Sequence, residues 1–290
     1  MSAAELVSAG AATASGAKET EYLLRMTASV VITSYNQRDF LVEAIDSALA
    51  QTRQPHEIVV ADDGSDDGSP TLIADLEHRF PGLVRGVYQP SNVGIPRNRN
   101  AALDAVTGDA VALLDGDDLL HPRFIEMMLG ALEADPTAGA AYSNYILTDV
   151  HKAREQTKFD GPQPTGDVMA GLARGRLGLM RAMLTRTDLM RRVGGMDPRF
   201  PKHDGYVCSL RLARQTRFAY VDECLVIKRD HPEGDSKSFG LVERRRYLTD
   251  VFEAVKDEIV HLTPAEQASA VEWWRNRLRK IDERIDAAAT

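Results

Sequence analysis

Between residues 28 and 144 the chain repeats one pattern: a short apolar or β-branched run, a polar turn, then a helical pattern. The runs fall at 28–33, 57–61, 83–88, 110–114 and 138–144, and the helical patterns at 40–51, 69–79, 97–106 and 122–134. Short runs that are apolar throughout predict strands buried on both faces, the condition of a parallel sheet. Parallel neighbours cannot be joined by a tight turn, so each intervening segment reads as a crossover helix. The expected fold is α/β, with a mostly parallel central sheet flanked by helices. At 290 residues the chain suffices for one large α/β domain or two small ones. Ser69 is expected to cap the 69–79 helix, with Pro70 at its first position.

The turn after the 110–114 run reads Asp115-Gly116-Asp117-Asp118. Its three carboxylates stand at the carboxyl end of a strand, where open α/β sheets bind ligands. Clustered carboxylates repel one another unless a cation or donors satisfy them. Hard oxygen ligands in this position suit Mg²⁺ or Mn²⁺ carrying a substrate phosphate. Other strand ends are also rich in polar groups. Thr33-Ser34-Tyr35-Asn36 follows the first, Asp62-Asp63-Gly64-Ser65 the second, and Asn92-Val93-Gly94 with Arg97-Asn98-Arg99-Asn100 the third. Alone, the Asp62–Ser65 segment is an ordinary turn. It fails as a calcium loop, because the closing Glu would fall at Ala74.

The rhythm weakens after residue 150. Residues 151–166 read as a loop or lid, and 217–221 and 225–229 as a closing pair of short strands. The tail is helical over 243–260 and again after Thr263-Pro264-Ala265-Glu266, a capping-box start. Val271, Trp274, Leu278 and Ile281 form one stripe of the last helix, beside Trp273. Such a stripe covers the domain's own core or forms a homodimer surface. Residues 1–27 read as a flexible leader without the basic start of a secretory signal. No apolar run approaches the ~20 residues of a membrane span, though peripheral contact with a membrane-bound acceptor stays compatible with the sequence. The formal charge of −8 argues against a nucleic-acid binder. The Arg244-Arg245-Arg246 cluster reads as a solvated helix face. Cys208 and Cys224 lack metal-ligand spacing and read as reduced thiols of a cytoplasmic protein.

In order and spacing these motifs resemble the inverting family-2 glycosyltransferases of the GT-A fold. In that family an Asp-Asp-Gly-Ser turn follows the second strand and a Leu-Asp-x-Asp-Asp motif the fourth. The resemblance covers roughly residues 28–240. It implies a Rossmann-like GT-A domain there, with a nucleotide-binding half over 28–120, an acceptor half over 121–240, and a helical extension over 241–290. It implies transfer of a sugar from a nucleotide diphosphate sugar to an acceptor hydroxyl, assisted by Mn²⁺ or Mg²⁺, in polysaccharide or glycoconjugate biosynthesis. Carried over residue by residue, Thr33 and Tyr35 hold the base and ribose. Asp63 accepts the N–H of a uracil or thymine. Arg99, rather than Arg97, meets the nucleotide or its phosphates. Asp115 meets the ribose or donor sugar and Asp117 the metal, while Asp118 positions the site or caps the helix near Pro122. His231 supplies a second contact to metal or diphosphate, and Arg229 and Lys237 face the leaving phosphates.

The base departs from the pattern. The family usually has Glu-Asp before a helix ending in a Leu-Arg-Leu-like run, the Asp being the base. Here His203-Asp204-Gly205-Tyr206 leads to Leu210-Arg211-Leu212, so an ungapped comparison sets Gly205 on the base and a one-residue slip sets Asp204 there. Asp204 is the expected catalytic base; otherwise it caps the helix, and His203 or another acid must serve. Two other readings compete. One is a nucleotide-sugar-binding protein with a degraded base. The other is a sugar nucleotidyltransferase, disfavoured because Thr33–Asn36 replaces the Gly-rich basic loop of that class.

Overall fold

The computed structural model describes residues 25–149, 155–175, 177, 180–231 and 240–289. Its first half runs β1 (Ala28–Ser34), α1 (Arg38–Leu49), β2 (Glu57–Asp62), α2 (Ser69–Arg79), β3 (Val84–Tyr88), α3 (Ile95–Ala105) and β4 (Ala110–Asp115). These four strands pair in parallel in the order β3-β2-β1-β4. Successive side chains alternate between faces. Val31, Val59, Val111 and Leu113 join one hydrophobic cluster, while Val30, Ile32, Ile58, Val60, Ala112 and Leu114 join the other. Both faces are therefore buried, which is why these strands read as unbroken apolar runs.

The chain leaves β1 towards β2 and β3 on one side and returns to β4 on the other. This reversal opens a crevice beyond the carboxyl ends of β1 and β4, the position where doubly wound sheets hold ligands. The register places Thr33 opposite Asp115 and Ser34 opposite Asp62, so the polar strand ends align along one sheet edge.

Beyond β4 the sheet is mixed. It adds β5 (Leu119–Leu120), β6 (Ala138–Asp149), β7 (Glu155–Thr157), β8 (Met183–Arg186) and β9 (Arg217–Asp230), extending the order to β3-β2-β1-β4-β8-β6-β9-β5, with β7 on β6. Strand β8 is antiparallel to both β4 and β6, whereas β6 and β9 are parallel. The expected pair at 217–221 and 225–229 is one 14-residue strand. The pairing jumps from Ser143–Val221 to Asn144–Cys224, so exposed Asp222 and Glu223 bulge out and the strand continues past them.

The helices of this half are α4 (Phe124–Ala134), α5 (Met169–Ala173), α6 (Thr187–Arg192), α7 (Asp204–Ala213), α8 (Leu241–Glu258) and α9 (Pro264–Ala289). A 3₁₀ turn spans Met180–Ala182. Helix α9 starts at the expected capping box: Thr263 Oγ1 donates to Glu266 Oε2 at 2.6 Å, and Glu266 N donates back to Thr263 Oγ1 at 3.3 Å. Trp274, Leu278 and Ile281 are buried in the domain's own cluster with Val255 and Leu248 of α8. That packing occupies the stripe on which a dimer surface would depend. Ser69 is not the cap of α2; the cap position is Gly68, and the Asp67 carboxylate accepts the Ser69 N–H at 3.0 Å. An ionised carboxylate is the stronger acceptor for that donor. Residues 1–24 and the segment bearing Ser236, Lys237 and Ser238 lie outside the described residues. No described helix is long and apolar enough to cross a membrane.

Candidate active site

Three strand-end turns interlock at the crevice. Gly116 N donates to Thr33 O at 2.8 Å, and a Cβ on Gly116 would stand 2.9 Å from that oxygen, so the β1 and β4 turns touch only through glycine. Asp62 Oδ2 accepts the N–H groups of Gly64 and Ser65 at 3.1 and 2.9 Å, closing the turn after β2 on itself. Asp63 reaches the next turn: Oδ1 accepts Val93 N–H at 2.8 Å and Oδ2 accepts Gly94 N–H at 3.0 Å. Burial pushes the Asp63 carboxyl up in spite of these donors. Tyr35 stands exposed at the end of β1.

The acids after β4 sit in a charge network that crosses the molecule. Arg99 of α3 donates to Asp115 Oδ1 through one terminal nitrogen, and to Asp204 Oδ2 at 2.8 Å through the other. Arg181 lies 3.0 Å from Asp115 Oδ2 and 3.5 Å from Asp118 Oδ2. Burial alone would raise Asp115, but Arg99 and Arg181 outweigh it and hold its carboxyl well below the usual range. Asp118 is less well compensated. Burial, then the charges of Asp117 and Asp115, push it up to about 7. Its Oδ1 accepts the Arg229 backbone N–H at 3.0 Å, so Asp118 joins β4 to β9. It does not cap α4, whose cap position is Arg123.

Asp115, Asp117 and Asp118 each bring one oxygen within 4.8 Å of the others. Three carboxylates that converge in this way form an all-oxygen donor set, which fits a hard divalent cation. His231 Nε2 lies 2.9 Å from Asp117 Oδ2, which brings the two residues expected to ligate a metal to one point. The His231 ring is buried against Phe40, with centroids 4.7 Å apart. Arg229 lines the cleft, and its guanidinium is engaged on three sides. Its Nε donates to the Asp117 carbonyl, Nη1 pairs with Glu43 at 3.0 Å and Nη2 donates to Phe40 O at 3.3 Å. The guanidinium ties the acidic turn after β4 to α1.

Asp204 is the first residue of α7; the cap position belongs to His203 and no side chain caps the helix. Asp204 is thus not spent as a cap. It is 5% exposed, and its Oδ1 has no hydrogen-bond partner among the described residues. A Cβ on Gly205 would stand 2.8 Å from Met180 Cγ, so a carboxylate at that position would have no room. Of the two aligned positions, only 204 offers an acid to the cleft.

Thr33, Tyr35, Asp63, Arg99, Asp115, Asp117, Asp204, Arg229 and His231 all line one cleft of ≈ 520 Å³. The sequence model of Glycosyl transferase family 2 matches residues 29–184, more than half of the chain. The chain belongs to this family. An uncharacterized glycosyltransferase of Nostoc sp. is 34% identical over 143 residues, covering 49% of this chain and 44% of that protein. Succinoglycan biosynthesis protein ExoO of Rhizobium meliloti is 38% identical over 104 residues, 36% of this chain and 29% of that protein. The matches thus span less than half of each relative. Among solved structures, S. aureus TarS 1–349 in complex with UDP-GlcNAc aligns with a TM-score of 0.68 and 16% identity, over 87% of this chain and 72% of that one. Mannosyltransferase PcManGT from Pyrobaculum calidifontis, in complex with GDP-Man and Mn²⁺, aligns with a TM-score of 0.57 and 18% identity, over 91% and 80%. The fold is the GT-A arrangement.

The cleft of this family-2 chain also holds residues that motif reading missed. Arg181, in the 3₁₀ turn before β8, bridges two acids of the turn after β4, and Lys228 of β9 lines the same cleft. Neither belongs to a sequence pattern: Arg181 comes near the acids because β8 pairs with β4, and Lys228 because β9 pairs with β5 just beyond them. Arg244, read as part of a solvated face, lines the cleft, while Arg245 pairs with Asp282 at 2.7 Å.

Proposed function

We propose that this chain transfers a sugar from a nucleotide diphosphate sugar, UDP or dTDP linked, to an acceptor hydroxyl with inversion at the anomeric carbon. The observation that carries the reading is Arg99, which ties Asp115 at the end of β4 to Asp204 at the start of α7. The cation site and a carboxylate suited to act as base thus face one cleft. Support also comes from the solved neighbours, one bound to UDP-GlcNAc and one to GDP-Man with Mn²⁺. In this reading residues 28–120 hold the donor, 121–240 the acceptor, and 241–290 form a helical extension. Both cysteines are free, in keeping with a cytoplasmic enzyme. Matches such as the succinoglycan biosynthesis protein support a role in polysaccharide or glycoconjugate assembly.

The base and ribose lie against Tyr35 and Thr33. Asp63 takes the ring N–H of uracil or thymine on lone pairs that its two backbone donors leave free, since each carboxylate oxygen accepts twice. Asp117 and His231 would hold Mn²⁺ or Mg²⁺, with Asp115 and Asp118 completing the acidic wall. The cation supplies Lewis-acid stabilisation, worth several kcal/mol, to the negative charge that grows on the departing diphosphate. Arg99 fixes Asp204 through Oδ2, which leaves Oδ1 to accept the acceptor's proton. The acceptor oxygen bonds to C1 as the bond from C1 to the phosphate oxygen breaks. One displacement from the opposite face inverts the centre.

The test is release of nucleoside diphosphate from UDP-, dTDP- and GDP-sugars with a panel of glycoside acceptors, with the product anomer read by proton NMR. The expected result is metal-dependent release from a uridine or thymidine donor and an inverted product. Asp204→Asn should lower kcat by ~10²–10⁴ while nucleotide binding persists. Full turnover in that variant rejects the base. Donor binding without turnover by the wild type favours a binding protein instead.

A further inference from the structure

A second cavity of ≈ 400 Å³ adjoins the first cleft and shares Arg99, Asp115, Arg181, Lys202, His203 and Asp204 with it. Its outer wall comes from the C-terminal helices, through Trp273, Trp274 and Arg277 of α9 and Leu248 of α8. The aromatic part of this wall is fixed in place. Trp274 Nε1 donates to Ala173 O at 2.8 Å and Tyr206 Oη donates to Leu172 O at 2.5 Å. The Trp273 ring meets the Trp274 ring edge-on at 5.2 Å.

Arg277 is the anomaly. Its guanidinium lies over Trp273 at 5.2 Å and Trp274 at 5.9 Å, yet no carboxylate pairs with it among the described residues. Its Nε is buried without a hydrogen-bond partner among the described residues. Other half-buried arginines here are satisfied: Arg99 and Arg181 by carboxylates, Arg191 by the carbonyls of Leu103 and Val106. Burial pulls the Arg277 pKa down, and the neighbouring Arg244 adds a second cation rather than a counter-ion. A desolvated guanidinium with open donors costs free energy that an anion would offset. The cavity thus holds carboxylates that Arg99 and Arg181 already pair, Lys158 and Lys202 in its lining, and on α9 a guanidinium with no counter-ion among the described residues.

We propose that this cavity is the acceptor site and that the acceptor carries an anionic group, a carboxylate or a phosphate, bound by Arg277. The attacking hydroxyl lies at Asp204 and the ring or chain between Asp204 and Arg277 packs on the tryptophans. This deepens the transferase reading and rests on it for the acceptor's role. The binding itself is tested without turnover.

Trp273 and Trp274 are the only two tryptophans of the chain, so intrinsic fluorescence reports on this wall directly. The full chain is titrated with methyl β-D-glucuronide, with glycerol 1-phosphate and with neutral methyl β-D-glucoside. The donor cleft is filled with UDP and Mn²⁺, and near-ultraviolet circular dichroism checks each variant's fold. An anionic probe should perturb the fluorescence saturably and bind at least about tenfold tighter than the neutral glycoside, as one charge-assisted hydrogen bond supplies. The tighter of the two anions names the chemistry. Arg277→Gln should weaken that anion about tenfold or more, and Arg277→Lys less. Equal binding of charged and neutral glycosides, no response to either anion, or Arg277→Gln affinity within twofold of wild type overturns the proposal. Anion binding without any donor turnover would keep the anion site and remove the transferase reading; turnover onto neutral acceptors alone would do the reverse.

Discussion

Replacing Arg99 tests the link between the two ends of the site. The Arg99 side chain is 12% exposed, Asp115 27% and Asp204 7%. With Arg99→Gln, Asp115 keeps Arg181 at 3.0 Å, whereas Asp204 loses the one cation that pairs with it among the described residues. An uncompensated buried carboxylate costs about 3–5 kcal/mol. A neutral hydrogen bond from the new amide recovers about 1 kcal/mol, so a loss of roughly 2–4 kcal/mol is expected. Asp204→Asn alone leaves Arg99 on Asp115 and should cost only about 1–2 kcal/mol. The double variant has no orphaned charge, so it should be more stable than the sum of the single losses by about 2 kcal/mol. Urea unfolding near neutral pH, followed by tryptophan fluorescence, measures all four corners of the cycle. Additivity to within about 0.5 kcal/mol would refute the coupling, and with it the claim that Arg99 holds the base.

Two further substitutions probe the supports. Gly64 has φ +76°, and a Cβ there would stand 2.6 Å from the Ser91 carbonyl carbon. Gly64→Ala should lower stability by about 1–3 kcal/mol and weaken nucleotide binding by shifting Asp63, as unfolding curves and nucleotide titration would record. Asp197 is held well below the usual carboxylate range by Arg199, with Arg211 adding a bond at 2.7 Å. A depressed folded-state pKa contributes stability above the unfolded value and loses it as pH falls. Asp197→Asn should therefore be less stable than wild type at neutral pH, with the gap closing below pH ~4. A gap that is constant with pH would contradict this.

The parallel half of the fold was legible because β1, β2 and β4 are buried on both faces and so read as apolar runs. The motif turns were legible because Asp, Gly and Ser must stand where backbones approach, as Gly116 does at Thr33. Strand β8 was not, because four residues inserted antiparallel between β4 and β6 carry no period of their own. Asp222 and Glu223 read as a turn because polarity marks a bulge as readily as a hairpin. The contacts of Arg229 with Asp117, Glu43 and Phe40 were not legible, because they join segments far apart in the chain. Arg181 was invisible for the same reason: its partners lie 66 and 63 residues away.

The proposed transfer depends on the acidic turn after β4 and His231 holding a cation-bound nucleotide diphosphate at the carboxyl edge of the sheet. Calorimetric titration of UDP into the full chain, with Mn²⁺ and then with a chelator, in wild type and in Asp117→Asn, tests it most directly. Binding should require the metal and weaken at least about tenfold in the variant, which loses one charged ligand. UDP binding that is indifferent to both metal and Asp117 would contradict it.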